Sequence, residues 1–256
     1  MILSIITVTY NNFDELKKTL DSIPKLDFIE SIVVNGGDCS NTKEFLKSYG
    51  GKSISEKDNG ISDAFNKGIN LASGDLLMFL NSGDILLESS YLKNAREMFF
   101  QDSQTDFVHS NIILLNQSGA QLFMKPTFSS LGRGMPYLHP TMIVRRNVFE
   151  QIGLFNVKYK IAMDFDFIVR LTKAQLHGDY YNSGFPVLMD GGGKSIINEG
   201  KSIRECFNIL KINHELTPEN LLGYFIRYVL FLVRKLSILL GQEEILLKLK
   251  KRKHSK

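Results

Sequence analysis

The chain has 256 residues, 43% hydrophobic and 23% charged, enough to bury a substantial core in one large α/β domain with or without an appendage. Two cysteines, Cys39 and Cys206, exclude a disulfide framework and lack metal-site spacing, which points to a reducing compartment. Residues 218–256 hold a net charge of +6 and the rest −2, the reverse of a nucleic-acid enzyme with a basic body, so nucleic acid is not an expected partner.

Ile2 to Thr9 is an apolar, β-branched run with no basic leader or cleavage site, so it reads as a first strand rather than a signal peptide. Tyr10-Asn11-Asn12 then turns the chain, and Leu16, Leu20 and Ile23 are spaced for a helix that Pro24 stops. Ile29 to Val34 is a second strand, broken by Asn35-Gly36-Gly37-Asp38, with a polar helix start at Asn41-Thr42 and a third short run near Ile54. Ile61, Phe65, Gly68-Ile69 and Ala72 form a helix face, and Leu76 to Leu80 is a strand ending in Asn81-Ser82-Gly83-Asp84. Strands alternating with helices predict a mostly parallel sheet covered on both faces. Phe107–Leu115 and Gln121–Lys125 flank Asn116-Gln117-Ser118-Gly119 as a hairpin. Helical spacing recurs at Arg146–Ile152 and Asp164–Leu176, short strands at Asp179–Tyr181 and Val187–Met189, and Gly191-Gly192-Gly193 is a loop.

In an open parallel sheet, ligands bind at the carboxyl ends of the strands. Three polar clusters fall at such ends: Thr9-Tyr10-Asn11, Asn35-Gly36-Gly37-Asp38 and Asn81-Ser82-Gly83-Asp84. Each alone is explained by a turn; three in succession point to a ligand. Asp58 and Asp63 flank a helix start, where carboxylates cap free N–H groups. Capping does not account for Asn66-Lys67 followed by Gly68 inside a helix, where Gly costs about 1 kcal/mol relative to Ala. A backbone passing close to a ligand or to another strand does.

These residues carry a resemblance. Val8-Thr9-Tyr10-Asn11, Val33-Val34-Asn35-Gly36-Gly37-Asp38, Asp58-Asn59-Gly60-Ile61-Ser62-Asp63-Ala64 with Asn66-Lys67-Gly68, and Phe79-Leu80-Asn81-Ser82-Gly83-Asp84 resemble the donor half of family 2 glycosyltransferases. His139-Pro140-Thr141, Gly153-Leu154-Phe155 and Asp164-Phe165-Asp166 through Arg170 are similar to that family's acceptor half, so the likeness runs from about residue 2 to 195. It is nearest to bacterial enzymes that build O-antigen, capsule or exopolysaccharide repeat units on a lipid carrier.

The resemblance implies an A-type glycosyltransferase fold, a mostly parallel central sheet flanked by helices, with a C-terminal helical appendage. It implies a catalytic domain over 1–217, with a nucleotide-binding half of about 1–105 and an acceptor half of about 106–217. Its donor would be a nucleoside diphosphate-sugar, UDP-linked, held by Thr9, Tyr10, Asn35, Asp58, Asp63, Asn66, Lys67, Asn81 and Ser82. Asp84 falls at the family's metal motif, for Mg²⁺ or Mn²⁺, and Asp164 at its catalytic base. His139, Asp166 and Arg170 are candidate acceptor or supporting residues. The sequence departs from the family in having Asn35 where many relatives have Asp, and Asn81 and Gly83 in the metal motif, which leaves Asp84 as its one carboxylate. One carboxylate suffices for Mg²⁺ when substrate phosphates and waters complete the octahedron. Asp164 and Asp84 also suit a helix cap or a turn, Arg170 a surface pair, and His139 a buried polar position.

Leu221 to Leu240 is strongly apolar but carries Arg227, Arg234 and Lys235, which argues against a spanning helix. Arg227 and Arg234 share one helical face, leaving a wide apolar side, and Lys248, Lys250, Lys251, Arg252 and Lys253 follow. Residues 218–256 therefore read as an interfacial helix with a polybasic tail, drawn to an anionic membrane surface at the cytoplasmic side and dispensable for donor chemistry. A packing helix closing over the domain is the alternative. The expected function is an inverting transfer to a hydroxyl of a polyprenyl-diphosphate-linked saccharide. The competing classes are a non-catalytic sugar-nucleotide-binding subunit and a nucleotidyltransferase or dinucleotide enzyme, the latter disfavoured because neither Gly-x-Gly-x-x-Gly nor Gly-Lys-Ser/Thr occurs.

Overall fold

The computed structural model describes residues 1–116, 118–127, 129–192 and 198–240. In chain order the elements are β1 (Leu3–Thr9), α1 (Phe13–Ser22), β2 (Ile29–Asn35), α2 (Ser40–Lys47), β3 (Lys52–Ser55), α3 (Ile61–Leu71), β4 (Leu76–Phe79) and β5 (Ile85–Leu86). There follow α4 (Ser89–Gln101), β6 (Phe107–Ser110), β7 (Ile112–Leu115), β8 (Gln121–Met124), β9 (Ile143–Arg145), α5 (Arg146–Ile152), α6 (Met163–Lys173), β10 (Gly178–Tyr181) and β11 (Val187–Asp190), then α7 (Glu199–Ile212) and α8 (Pro218–Leu239).

Seven strands form the larger sheet in the order β10-β6-β9-β4-β1-β2-β3, parallel except for β9. β1 is buried at every position because both sheet faces are covered. Alternate side chains point to opposite faces. Ile6, Val8, Leu77 and Phe79 meet Phe65 of α3 and Phe167 of α6 on one side. Leu3, Ile5, Leu76 and Met78 meet Tyr91, Leu92, Ala95 and Phe99 of α4 on the other. Each Val, Leu, Ile, Phe or Met among these contributes about 1.5–3 kcal/mol when fully buried.

The expected long strand over Phe107–Leu115 is a correction. It breaks at Asn111: β6 stays in the larger sheet, while β7 enters a smaller one ordered β5-β11-β7-β8. Asn111 is buried, donates to the Gly184 carbonyl at 2.8 Å and accepts from the Tyr180 hydroxyl at 2.6 Å, so its amide holds the crossing between sheets. The β7–β8 hairpin itself forms, with Asn116 Oδ1 accepting the N–H groups of Ser118 and Ala120. Gln117, Gly193 and the tail cations Lys248, Lys250, Lys251, Arg252 and Lys253 lie outside the described residues.

Helix α8 is docked on the body. Asn220 Oδ1 accepts the Gly132 N–H at 3.0 Å, and a Cβ at Gly132 would fall 1.9 Å from the Asn220 carbonyl. Tyr224 packs on Phe207 of α7, and Arg234 pairs with Glu199 at 2.7 Å. The helix therefore turns its arginines toward the protein and its leucines outward, the reverse of an interfacial helix with a solvated cationic face. Leu222, Phe225 and Leu236 are each about 60% exposed. No helix among the described residues is long and apolar enough to cross a membrane.

Candidate active site

The loops after β1, β2 and β4 converge because these three strands are neighbours and run in one direction. The Gly36 N–H reaches the Thr9 carbonyl at 3.1 Å and the Ser82 N–H reaches the Val8 carbonyl at 3.2 Å. Asn11 has a left-handed φ of 56°, and its Oδ1 accepts the N–H groups of Asp38 at 2.8 Å and Cys39 at 3.0 Å. A Cβ at Gly37 would fall 2.4 Å from that same oxygen, so glycine is required there.

Of the expected donor residues, Tyr10 stands at the rim, 64% exposed. Thr9 is buried and donates to Asn12 Oδ1 at 2.6 Å. Asn35 is wholly buried: its amide nitrogen donates to the Gly37 carbonyl and Ser55 Oγ, and its oxygen accepts the Gly37 N–H. It shapes the glycine loop from behind. Asp58 lies over Gly36, where a Cβ would meet its Oδ2 at 1.6 Å, and its Oδ1 accepts the Gly60 N–H at 2.8 Å. Asp63 accepts the Asn59 N–H at 2.9 Å, fixing the entry to α3.

Asn66 and Lys67 have structural partners. Asn66 donates to the Phe155 carbonyl at 2.8 Å and accepts the Phe155 N–H at 2.9 Å, tying α3 to the loop after α5. Lys67 pairs with Glu56 at 2.8 Å and donates to the Lys57 carbonyl, and Glu56 raises its pKa. The Cβ that Gly68 lacks would fall 2.4 Å from Ile6 Cγ2. Its glycine therefore answers to a strand and not to a ligand.

In the Asn81–Asp84 turn, Asp84 faces inward and is 3% exposed. Its Oδ2 accepts the Asn81 N–H at 3.2 Å and its Oδ1 the Asp190 N–H at 3.0 Å. Burial pushes its carboxyl up to about 7 against those N–H groups, and the Asp190 charge adds to the rise. Ser82 donates weakly to the Asn12 carbonyl at 3.5 Å, and Asn81 Oδ1 is buried without a hydrogen-bond partner. Asp102, His177 and Asp179 bring ligand atoms within 4.8 Å of one another at the opposite edge of the sheet, where β10 begins.

Asp164 sits in the first turn of α6, enclosed by protein but partly open. Its Oδ1 accepts the Phe165 N–H at 2.8 Å. The helix entrance is held by another residue: Glu205 of α7 accepts the N–H groups of Ile161 at 3.0 Å, Ala162 at 2.9 Å and Lys160 at 3.3 Å. Burial pushes the Asp164 carboxyl up to about 6; the N–H groups of Phe165 and Asp164 and the Arg227 guanidinium oppose this, and Glu205 adds to it. Burial pushes the Cys206 thiol up, and the Arg227 guanidinium of α8 opposes that rise as well. Sequence reasoning placed Arg227 on the appendage and passed over Glu205 and Asp190; the acids carried no motif to single them out.

The remaining expected residues, Asp166, Arg170 and His139, make their contacts within the protein. Arg170 pairs with Asp166 at 2.9 Å and donates to the carbonyls of Ile152, Gly153 and Leu154, clamping the loop after α5 to α6 rather than holding Asp164. His139 is 5% exposed, stacked near Phe65 and Phe79, and burial pushes its pKa down to about 4, so it is neutral.

The chain is similar to a PGL/p-HBAD biosynthesis glycosyltransferase of Mycobacterium bovis, 30% identical over 180 residues that cover 65% of this chain and 68% of that protein. An uncharacterized glycosyltransferase of Rickettsia typhi is 27% identical over 180 residues, covering 64% of this chain and 57% of that one. Among solved structures, Staphylococcus aureus TarS 1–349 in complex with UDP-GlcNAc shares the fold with a TM-score of 0.65 at 18% identity, over 83% of this chain and 65% of that one. The mannosyltransferase PcManGT of Pyrobaculum calidifontis, solved with GDP-Man and Mn²⁺, has a TM-score of 0.59 at 14% identity, over 95% and 79%. The Glycosyl transferase family 2 model matches residues 4–153, more than half of the chain, so this α/β protein belongs to that family and is a glycosyltransferase.

Proposed function

We propose that the enzyme moves a hexose or N-acetylhexosamine, with inversion, from a UDP-sugar to a hydroxyl of a polyprenyl-diphosphate-linked saccharide in bacterial surface-polysaccharide synthesis. The observation that carries this reading is Asp164, a carboxylate poised near pH 6 whose helix is held from behind by Glu205. A base with that pKa is ionised at neutral pH and still takes up a proton readily. Asp164 would remove the acceptor's hydroxyl proton as its oxygen bonds to the anomeric carbon, while the bond to the diphosphate breaks and UDP leaves with the electron pair. UDP-GlcNAc in the TarS complex favours a uridine donor.

In this reading the Tyr10 ring stacks on the base, Asp58 faces the nucleoside over Gly36, and Asn35, Asp63, Asn66 and Lys67 keep the wall in shape. The Asn81–Asp84 turn fits a hard divalent cation through the orphaned Asn81 Oδ1 and the Asp84 carboxylate. Mg²⁺ or Mn²⁺ held by Asn81 and Asp84 would offset the charge of the departing diphosphate. Residues 1–217 carry the donor and base residues, with Arg227 of α8 acting on Asp164 from outside that unit, and 218–256 attach the enzyme peripherally to the cytoplasmic face of the membrane. The outward apolar side of α8 and the +6 charge of that segment support this attachment.

The test is a donor screen with the full chain, using polyprenyl-diphosphate-linked sugar in anionic vesicles and reading products by mass spectrometry and anomeric configuration by NMR. One UDP-sugar should be transferred with inversion. Retained configuration, or transfer only to acceptors without a lipid diphosphate, refutes the corresponding part of the reading.

A further inference from the structure

The turn that resembles a metal motif has one carboxylate, and it is turned inward, with each oxygen already accepting a backbone N–H. A divalent ion on a diphosphate keeps several waters, but it is held best with an anionic protein oxygen facing it. Gly83 occupies the position from which a second acid would project. Its φ of 107° disfavours any side chain, and a Cβ built there would lie 3.4 Å from Asp190 Cβ and 3.5 Å from Asp190 Oδ2.

The Asp190 side chain therefore borders the volume that a residue-83 side chain would enter. Asp190 ends β11 of the smaller sheet and is exposed. Its main-chain N–H is bound by Asp84 at 3.0 Å, which locks the two acids in register. Its Oδ1 accepts the Gly192 N–H at 3.2 Å, and Oδ2 is the oxygen nearer Gly83. In the same turn Asn81 Oδ1 is buried with no donor, an unmet acceptor that a cation would satisfy. The two sheets thus bring two carboxylates and an orphaned amide oxygen to one turn.

We propose that Asp190 supplies the carboxylate that Gly83 cannot, completing with Asn81 and Asp84 the protein side of a Mg²⁺ or Mn²⁺ site for the donor diphosphate. This rests on the reading of the Asn81–Asp84 turn as the cation site. The second acid then comes from the end of β11 and not from the turn.

The experiment measures UDP binding to the full chain by calorimetry, in Mn²⁺ and in excess chelator, with bound Mn²⁺ followed by electron paramagnetic resonance. Only the UDP-dependent increment in Mn²⁺ is read, because Asp102, His177 and Asp179 offer a separate exposed cluster. Asp190→Asn keeps the backbone N–H that Asp84 binds, so it should fold. It should weaken Mn²⁺ binding in the presence of UDP about tenfold or more, while UDP affinity in chelator stays within about twofold. Asp190→Glu should recover part of the loss. Wild-type Mn²⁺ binding by Asp190→Asn overturns the role of Asp190 and leaves the turn as the cation site. Equal UDP affinity of the wild type in Mn²⁺ and in chelator overturns the cation reading itself, and this proposal with it. Loss of UDP binding by Asp190→Asn in chelator also overturns it, by making the residue a structural one.

Discussion

Asp164→Asn separates a base from a helix cap. The amide keeps an oxygen for the Phe165 N–H, and Glu205 still holds the N–H groups of Ile161 and Ala162, so the start of α6 is retained. The wild-type carboxyl rises from 3.8 to about 6 on folding, so the folded chain binds this proton more tightly than the unfolded one. Above about pH 6 the charged group destabilises the fold by up to about 3 kcal/mol, less what its open side recovers through water. That deficit fades as pH falls through 6 toward 3.8. Asp164→Asn should therefore match or exceed wild-type stability at pH 7.5 in urea melts and lose the advantage near pH 4. Turnover should fall by roughly 10²–10⁴, the contribution of a positioned base, with UDP affinity unchanged. In the wild type, kcat/KM should drop about tenfold from pH 7.5 to 5 as a base near pH 6 is protonated. Near-normal turnover with altered stability would reduce Asp164 to a structural acid and refute the reasoning.

Arg227→Gln removes a cation that lowers the Asp164 pKa, so the acid limb of kcat/KM should move to higher pH while Arg227→Lys restores it; an unmoved limb means the two are not coupled. Gly68→Ala should lower stability, since overpacking against Ile6 costs about 1–3 kcal/mol and outweighs the roughly 1 kcal/mol that Ala gains in a helix. A more stable Gly68→Ala in urea melts would show that β1 can yield. Leu222→Ser and Phe225→Ser lie on the outward side of α8 and should leave the melting temperature unchanged. Each should weaken binding to anionic vesicles on the order of tenfold, and unchanged sedimentation with vesicles counts against membrane contact.

The donor-side framework was legible because its strands are buried on both faces and end abruptly in polar turns. β1, β2 and β4 read as apolar runs, and the Asn35 and Asn81 clusters follow them directly. What each polar residue does was less legible. Asn35 ends β2 and Asn66 lies within α3, yet their amides are used inside the protein, on Gly37 and Phe155. A sequence gives the position of an amide but not the direction it faces. β9 has three residues, too few for a period, and Asn111 looks like one more polar residue in a strand until the two sheets part there. Asp190 and Glu205 act across sequence separations of 106 and 43 to 45 residues, so no local pattern announces them.

Amphipathicity fixes which residues of α8 share a side, not which side meets the protein. Arg227 and Arg234 do share one, and taken alone they belong in water. The body supplies acids for both, Glu199 for Arg234 and the partly buried Asp164 near Arg227, and residues 1–217 are the part of the chain with net negative charge. A partly buried arginine is tolerable only when paired, and a partly buried carboxylate likewise. Once the two charges are matched inward, geometry forces Leu222, Phe225 and Leu236 outward. An apolar face of that extent is costly in water and marks a surface that something covers. Seating α8 through Arg227 thus links whatever covers its outer face to the ionisation of Asp164 on its inner one.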